Sequence, residues 1–323
     1  MSLSKTSYPN IEIIVVDNES DSESLSKLRN EFGGNVSFFP QEKNLNYAGG
    51  NNFGITRSNG EFIVMLNNDT EVESRWLEPL IREAQIRPKA FYQPKILFLD
   101  EPDLIFSLGC TVHLFGIAYP IGMGRKIKEV SLPTHRIEIF YCVGACIFTS
   151  RIALEEIKGF DSNYWTYYED VNLGWRGRLQ GYPSYLVPDS TIYHKWGGTY
   201  GQQLSSKKLQ FLERGRISSI IRNYTLRTIF IISPVIVILD LLVLLYLLPK
   251  GLASAKIRAS LDVFMNLKYI LRERKVIQTK RLKSDTEVSK CMSLKVEHPF
   301  IGKFSSRADR MLIKLSKTLM KML

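Results

Sequence analysis

The hydrophobic pattern of the first ninety residues alternates short apolar runs with amphipathic segments. Residues 11–16 and 61–66 are apolar and rich in β-branched side chains, which is typical of strands buried on both faces. Residues 36–39 indicate a shorter strand. Each run ends in polar or glycine-rich residues of the kind that close a strand.

Apolar residues at helical spacing follow these strands. Leu25, Leu28 and Phe32 would share one face of a helix that Gly33 and Gly34 close. Residues 74–86 predict a second helix, and residues 44–58 open a third after a Gly- and Asn-rich turn. This alternation predicts an α/β fold of the doubly wound type: a Rossmann-like, mixed but mainly parallel sheet with helices on both faces.

The second half changes character. Residues 91–149 are strand-like and irregular, whereas residues 152–157, 169–180 and 204–224 predict helices. The chain therefore divides into a catalytic domain at 1–225, a membrane-associated segment at 226–272 and a basic tail at 273–323.

Residues 229–248 form an apolar run that is interrupted by Ser233, Pro234 and Asp240. Its 20 residues are about the number needed to cross a bilayer. Asp240 would cost roughly 2.5–3.5 kcal/mol at the centre of a span, and Pro234 would kink the helix. Four interpretations stay open: a single span, a hairpin with residues 256–272, a segment lying flat in the interface, or a buried core helix.

The positive charge of the chain is concentrated at its C-terminal end. The formal net charge is +11, and residues 250–323 carry 18 Lys and Arg against 6 Asp and Glu. Because this basic tail follows an apolar run, it favours an anionic membrane surface and no nucleic acid as its partner. Leu312, Leu315, Leu319 and Leu323 predict a terminal amphipathic helix that lies either in the interface or docked on the domain.

Three polar clusters follow or lie near apolar strands, where doubly wound sheets gather their ligands. They are Asp17 with Asn18, Asn67 to Asp69, and Tyr168 to Asp170. A carboxylate in such a place can bind a ribose, a base or a hard cation such as Mg²⁺. It can equally be a helix cap or a turn former.

The order of these clusters resembles that of a known family. VVDNES, NLNYAGGNNFGI, NNDT, GFDSNYWTYYEDVNLGWRGRLQGY and then His194 resemble the motifs of family 2 glycosyltransferases with a GT-A fold. Within that family the chain looks most like the rhamnosyltransferase-like membrane enzymes of cell-surface polysaccharide assembly. The resemblance covers residues 8–271.

The resemblance implies a role for each motif. Asp170 would be the catalytic base beside Glu169, and Asp69 with His194 would hold Mg²⁺ or Mn²⁺. The residues implied to lie beside the nucleotide are Asp17, Asn44, Gly49, Gly50, Asn52 and Asn67. Arg214 and Arg216 would help to hold a diphosphate or an acceptor, although solvated helix charges explain them equally well.

The implied activity is an inverting transfer of a sugar, such as rhamnose, from a dTDP-, UDP- or GDP-sugar. The acceptor would be a hydroxyl of a glycan or polyprenyl-linked glycan at the cell membrane, with the catalytic domain on the cytoplasmic side. No Gln-x-x-Arg-Trp motif follows His194, so one sugar per encounter is expected.

The sequence departs from the family at its N-terminal end. The family begins with one more strand and helix before the segment that aligns at Tyr8, so we expect unpaired strand edges here. That departure and the single carboxylate of Asn67 to Asp69 favour an alternative function. The alternative is a catalytically inactive relative that binds nucleotide sugar or anchors a membrane assembly.

Overall fold

A computed structural model describes residues 2–20, 36–196, 203–296 and 306–323, with single positions between residues 20 and 36. The predicted helix with Leu25, Leu28 and Phe32 on one face lies largely outside these residues. The other elements predicted in the first ninety residues are present. Their ends differ from the predicted ones by no more than a few residues.

The centre of the molecule is a mixed sheet of seven strands. Its main path runs β3 (Phe62–Leu66), β10 (Cys146–Ser150), β5 (Phe91–Phe98), β11 (Ser184–His194) and β4 (Thr70–Val72). Strands β5 and β11 pair in parallel, while β10 lies antiparallel between β3 and β5. Short strands extend the sheet or form a separate hairpin, namely β6 (Ile105–Ser107), β7 (Cys110–Val112), β8 (Ala118–Pro120) and β9 (Ile137–Ile139).

Helices cover both faces of this sheet, as the side-chain alternation along β3 shows. Ile63 and Met65 join one core cluster with α1 (Asn46–Arg57) and α3 (Arg151–Ile157). Phe62, Val64 and Leu66 contact the opposite cluster, which contains α2 (Leu77–Ile86). The α/β prediction with helices on both faces is therefore confirmed.

The N-terminal strands stand apart from the seven-stranded sheet. Strand β1 (Ile13–Asn18) pairs in parallel with β2 (Val36–Gln41) and, among the described residues, with no other strand. Strand β3 likewise pairs with β10 alone. The apolar side chains of β1 are consequently only half-buried, and Ile11 is 40% exposed. The prediction that this run is buried on both faces is thus wrong.

Six helices make up the C-terminal third. They are α5 (Ser206–Asn223), α6 (Leu226–Leu247), α7 (Ala253–Met265), α8 (Leu267–Lys280), α9 (Asp285–Ser289) and α10 (Ser306–Met322). Residues on both sides of the predicted boundary at 225 share one hydrophobic cluster that runs from Trp175 through Ile232 to Leu319. Helix α10 docks on that cluster through Leu312, Leu319 and Leu323, whereas Leu315 is 37% exposed.

A group of four charges fastens the apolar helix α6 to its neighbours. Asp240 of α6 lies 2.6 Å from Arg216 of α5 and 3.0 Å from Lys256 of α7. Glu213 of α5 lies 2.9 Å from Arg216 and also pairs with Lys256. Two cations and two carboxylates therefore balance where α5, α6 and α7 meet. Such a balance is required when charges leave water.

Removal of one negative charge from this group should destabilise the fold. Arg216 and Lys256 are buried, so a Glu213→Gln variant would leave two cations with one carboxylate. Breaking a buried ion pair in this way costs about 3–5 kcal/mol. Urea unfolding measures the loss, with Glu129→Gln at an exposed position as the matched control. A loss no larger than that of the control would contradict the role of the group.

The same four charges should make the stability of the fold depend on pH in the acid range. Burial opposes ionisation of Glu213, but Arg216 and Lys256 outweigh it and lower the pKa of Glu213 to about 2. A carboxyl in the unfolded chain has a pKa of about 4.3. The stabilisation is therefore complete above about pH 5 and is lost as the pH falls through about 2. The Glu213→Gln variant should lose less stability than the wild type over that range.

Candidate functional site

The turn after β3 meets the end of β11. Asn67 to Asp69 leads from β3 into β4, and β4 pairs with β11 so that Thr70 lies opposite His194. This register brings Asp69 Oδ1 to within 3.1 Å of His194 Nε2. The structure thus brings together the two residues predicted to hold a metal.

Asp69 and His194 form an incomplete set of metal ligands. His194 is buried, its Nε2 lies beside Asp69 Oδ1, and its Nδ1 has no hydrogen-bond partner among the described residues. Burial opposes ionisation of Asp69, but the neighbouring imidazole lowers the pKa of its carboxyl. The described part of the chain contains no group of three His, Cys, Asp or Glu side chains suited to a metal. A carboxylate oxygen and an imidazole nitrogen suit Mn²⁺, with phosphate oxygens and water as the remaining ligands.

The acidic pair lies at the N-terminus of α4 (Glu169–Leu179). Asp170 accepts hydrogen bonds from the backbone N–H of Gly144 at 2.9 Å and of Val171 at 2.7 Å. Glu169 is buried, and its Oε2 has no hydrogen-bond partner in the part of the chain that the structure describes. Burial raises the pKa of both carboxyls, and repulsion by Asp170 adds to the shift of Glu169. At neutral pH, Asp170 is therefore the better base of the two.

The backbone before the acidic pair is strained. Tyr167 and Tyr168 have φ of 62° and 69°, a region that bulky side chains rarely adopt. The Tyr168 hydroxyl donates to the Gly116 carbonyl at 2.9 Å, and a Cβ on Gly215 would lie 2.5 Å from the Tyr168 Cβ. Gly215 is therefore needed for α5 to approach this loop. Strained residues held by their surroundings are frequent at functional sites.

Gly144 connects the acidic pair to the turn after β3. Its N–H donates to Asp170, its carbonyl accepts from the Tyr47 hydroxyl at 2.6 Å, and the next carbonyl, of Ala145, accepts from Asn67 N at 3.0 Å. Asp170, Tyr47 and Asn67 thus hold three successive peptide groups. This places the acidic pair beside the turn that carries Asp69.

The predicted nucleotide segment lies at the end of β1. Asp17 is buried and accepts from Ser20 N, and Asn18 holds α1 by bonds to Leu45 N and Asn46 O, both at 3.2 Å. Asn44 caps the same turn by accepting from Asn46 N at 2.7 Å. The site residues Asp17, Asn44 and Asn67 therefore lie at the ends of β1 and β3 or in the turn that opens α1.

The two predicted glycines lie in the first turns of α1. A Cβ on Gly50 would be 3.1 Å from the Asn18 amide nitrogen, and one on Gly49 would be 3.1 Å from the Leu45 Cβ. Their lack of a side chain therefore allows close packing within the protein. The predicted close approach to a ligand stays a prediction.

Two sequence-based roles fall on side chains with partners inside the protein. The amide of Asn52 accepts from Phe160 N at 2.9 Å and donates to Phe160 O at 2.8 Å. Asn52 therefore holds the loop before the acidic pair, and its place beside a nucleotide stays a prediction. Arg216 is buried in the ion pairs of α5, so neither the diphosphate role nor the solvated-charge interpretation applies to it.

A small pocket opens beside the acidic pair. The loop at 163–167 lines one side of it, with Trp165 44% exposed, and Phe211, Arg214 and Ser218 of α5 line the other. Arg214 donates to the carbonyl of Asn163 at 3.0 Å. Arg214 thus stays at the site, whereas Arg216 does not.

Sequence reasoning missed Tyr47, Gly144 and Trp165. It placed Asn18 in a polar cluster with Asp17 but gave it no role of its own. Gly144 lies in the uncharged segment Val143 to Cys146, and it acts through its peptide groups. A sequence pattern cannot predict a role that depends on backbone groups alone.

Comparisons with known proteins agree with this geometry. Residues 1–157 match the family model "Glycosyl transferase family 2". Two curated relatives are each 26% identical to this chain. The first is "O-antigen biosynthesis protein RfbC" of Myxococcus xanthus, which aligns over 59% of this chain and 15% of the relative. The second is "N-acetylglucosaminyl-diphospho-decaprenol L-rhamnosyltransferase" of Mycobacterium tuberculosis, which aligns over 42% of this chain and 44% of the relative. This chain therefore spans less than half the length of either.

One solved structure supports the fold. The chain aligns with GalNAc-T7, crystallised with UDP, GalNAc and Mn²⁺, with a TM-score of 0.55 and 15% identity, over 69% of this chain and 44% of the other. At this identity the likeness bears on the fold alone. The family model and the named relatives together place residues 1–157 in glycosyl transferase family 2, within a chain whose fold is of the GT-A type.

Proposed function

We propose that this glycosyltransferase moves a sugar from a nucleotide diphosphate donor to an acceptor hydroxyl with inversion at the anomeric carbon. The observation that carries the proposal is the bonding of Gly144 and Ala145 to Asp170 and Asn67. That bonding links the half-buried carboxylate of Asp170, the proposed base, to the turn that carries Asp69. Base and diphosphate site would then face one substrate from two sides.

Donor binding would involve the ends of β1 and β3. Asp17 and Asn18 would lie towards the nucleoside, and Asp69 with His194 would hold Mn²⁺ or Mg²⁺ at the diphosphate. The metal would neutralise the charge on the departing diphosphate. Asp69 contributes a carboxylate whose lowered pKa keeps it charged, and His194 contributes a buried imidazole whose Nε2 lies beside that carboxylate.

Asp170 would accept the proton of the acceptor hydroxyl as the sugar is transferred. Its two backbone hydrogen bonds fix the direction of the carboxylate, and fixed orientation lowers the entropic part of the barrier. Direct displacement needs no covalent link to the enzyme. Glu169 would act on the charge and position of Asp170 rather than on the substrate.

The acceptor would enter by the pocket between Trp165 and α5. An exposed indole beside Arg214 suits a sugar ring followed by an anionic group such as a diphosphate. A polyprenyl-diphosphate-linked glycan has both features, and one named relative is a rhamnosyltransferase for such a lipid. Rhamnose as the transferred sugar and the cytoplasmic face of the cell membrane as the location are parts of this proposal.

Metal-dependent donor binding is the first test. UDP-, dTDP- and GDP-sugars, each with and without Mn²⁺, should include one donor that raises the melting temperature only with the metal. At a hundredfold excess over Kd the stabilisation is about 2.7 kcal/mol, or about 5 °C or more in a chain of this size. Asp69→Ala and His194→Ala should abolish the shift, while Glu61→Ala, at the exposed start of β3, should keep it. No shift with any donor would overturn the proposal.

The general-base role predicts a loss of rate and a pH dependence. An Asp170→Asn variant should lose about 10²- to 10⁴-fold in kcat while still binding the donor. Because burial raises the pKa of Asp170 to about 6, wild-type activity should rise with pH through that value. Wild-type activity that stayed flat down to about pH 4, the value of an ordinary aspartate, would contradict the assignment.

Glu169 provides an internal comparison for that experiment. Burial and the neighbouring Asp170 raise the pKa of Glu169, so this group holds a proton more readily than an ordinary glutamate. A Glu169→Gln variant keeps the shape and the neutral charge, and its kcat should fall less than about tenfold. A loss as large as that of Asp170→Asn would assign Glu169 a direct catalytic role. Donor binding in Asp170→Asn without transfer in the wild type would instead favour the inactive relative.

The acceptor pocket predicts a change in KM. A Trp165→Ala variant loses the exposed indole, whose contact with a sugar is worth about 1.5 kcal/mol by apolar area. The KM for the acceptor should rise about tenfold, with little change in donor affinity. Trp165→Phe keeps a ring in this place and should restore most of the loss. An unchanged KM in the alanine variant would place the acceptor elsewhere.

A further inference from the structure

Helix α6 (Leu226–Leu247) is asymmetric along its whole length. Among the described residues it is the one helix long and apolar enough to cross a membrane. Thr228, Ile232 and Leu247 are nevertheless buried, and they span the helix from its first turn to its last. One face of α6 is therefore in contact with the rest of the protein from end to end.

Both ends and the middle of α6 are held by the same folded body. At the N-terminal end, Thr225 N and the Thr228 hydroxyl donate to Asp285 at 2.9 and 2.5 Å. In the middle, Asp240 pairs with Arg216 and Lys256. At the C-terminal end, Leu247 joins a cluster with Leu209 and Ala255.

These contacts are incompatible with a helix that crosses a bilayer. A helix of 22 residues is about 33 Å long, which is close to the thickness of the hydrocarbon core. If α6 spanned, its two ends would lie on opposite sides, and Asp240 would lose its cationic partners in the apolar layer. Partners on one folded body cannot follow a helix through the membrane.

The opposite face of α6 is apolar and open. Exposed apolar residues fall at spacings of three, four and seven positions, which place them on one helical face: Phe230, Val237, Ile238, Leu241, Leu242 and Leu245. Each is more than half exposed, and Phe230 is 82% exposed. Helix α7 adds Ile257, Leu261 and Phe264, again exposed at helical spacing. A continuous apolar row of this length marks an interaction surface.

The charges at the ends of this row identify its partner. Arg227, Lys250 and Arg258 are exposed near the two ends of α6, and residues 250–323 carry a net charge of +12. An apolar helical face bordered by cations matches the interface of a bilayer that contains anionic lipid. We infer that α6 lies flat in one leaflet of such a membrane, with Phe230 and Leu241 directed into the lipid and Asp240 directed towards the protein.

This orientation relates the membrane to the acceptor pocket. Helix α5 carries Glu213 and Arg216, which hold α6, and also Arg214 and Gly215, which line the pocket. The pocket therefore opens within about one helical turn of the residues that fix the membrane-lying helix. A lipid-linked acceptor could then reach Asp170 without leaving the leaflet. This last step rests on the proposed function, whereas the flat orientation of α6 does not.

Vesicle binding tests the surface without any donor or acceptor. The purified full chain should co-sediment with phosphatidylcholine vesicles that contain a quarter phosphatidylglycerol, and less with phosphatidylcholine alone. A Leu241→Glu, Leu245→Glu double variant should weaken binding at least about tenfold, since two apolar side chains leave the lipid. Ile152→Glu, an exposed isoleucine of α3, is the matched control and should bind as the wild type does. Equal binding by all three proteins would overturn the surface.

Cysteine labelling tests the orientation. Leu226→Cys and Leu248→Cys place thiols at the two ends of α6, where both residues are exposed. Labelling of the wild type gives the background, since Cys110, Cys142 and Cys146 are buried and Cys291 is partly so. With a membrane-impermeant maleimide added outside, both ends should react to a similar extent before and after the vesicles are permeabilised. Protection of one end until permeabilisation would show that α6 spans, and would overturn the inference.

A second copy of the chain is the competing occupant of the same face. Light scattering of the lipid-free protein in mild detergent distinguishes a dimer formed through this face from a monomer whose face is free to bind a membrane. A dimer that the double variant disrupts, together with no vesicle binding by the wild type, would overturn the membrane assignment. A monomer that binds anionic vesicles would support it.

Discussion

Three successive peptide groups, around Gly144 and Ala145, hold the candidate site together. They bond to the Tyr47 hydroxyl, the Asp170 carboxylate and the Asn67 backbone, which belong to α1, α4 and the turn after β3. A Cβ on Gly144 would lie 3.3 Å from the Tyr47 ring, so a larger residue would force these groups apart. Without this contact the acidic pair would have no fixed relation to Asp69. The chemistry proposed for the site depends on that relation.

The contrast between Asp170 and Glu169 follows from the same contact. Ionisation of two adjacent buried carboxyl groups at the same time is energetically unfavourable. Different environments therefore give the two groups different pKa values. Asp170 has two backbone donors, whereas one oxygen of Glu169 has none. The donors favour the charged form of Asp170, and its neighbour keeps the proton. The backbone thereby makes one member of the pair a base at neutral pH.

The sequence predicted the order of elements and the strand-end clusters well, for physical reasons. Residues 61–66 have the composition of a buried strand, and the polar turn after them must lie at the carboxyl edge of the sheet. The resemblance to a known family predicted that Asp69 and His194 act together. The hydrophobic pattern could not predict their contact, because it depends on the register of β4 against β11. Asn52 shows the limit of motif reasoning. It lies in the expected segment, yet its amide is committed to Phe160. The burial of β1 was overestimated because an apolar run cannot report how many neighbours its strand has.

The structure changes the interpretation of Asp240, because it shows which side chains pair with its carboxylate. In the sequence it is a costly charge inside an apolar run and counts against a membrane segment. In the structure it defines the face of α6 that turns away from lipid, because Arg216 and Lys256 lie on that side. An apolar helix without such a charge could rotate or insert fully, since most of its surface is alike. A single paired carboxylate removes that freedom, and one of the two cations that balance it, Arg216, belongs to the helix that lines the pocket. If α6 lies in the membrane as inferred, this ion pair relates the proposed membrane surface to the proposed acceptor pocket.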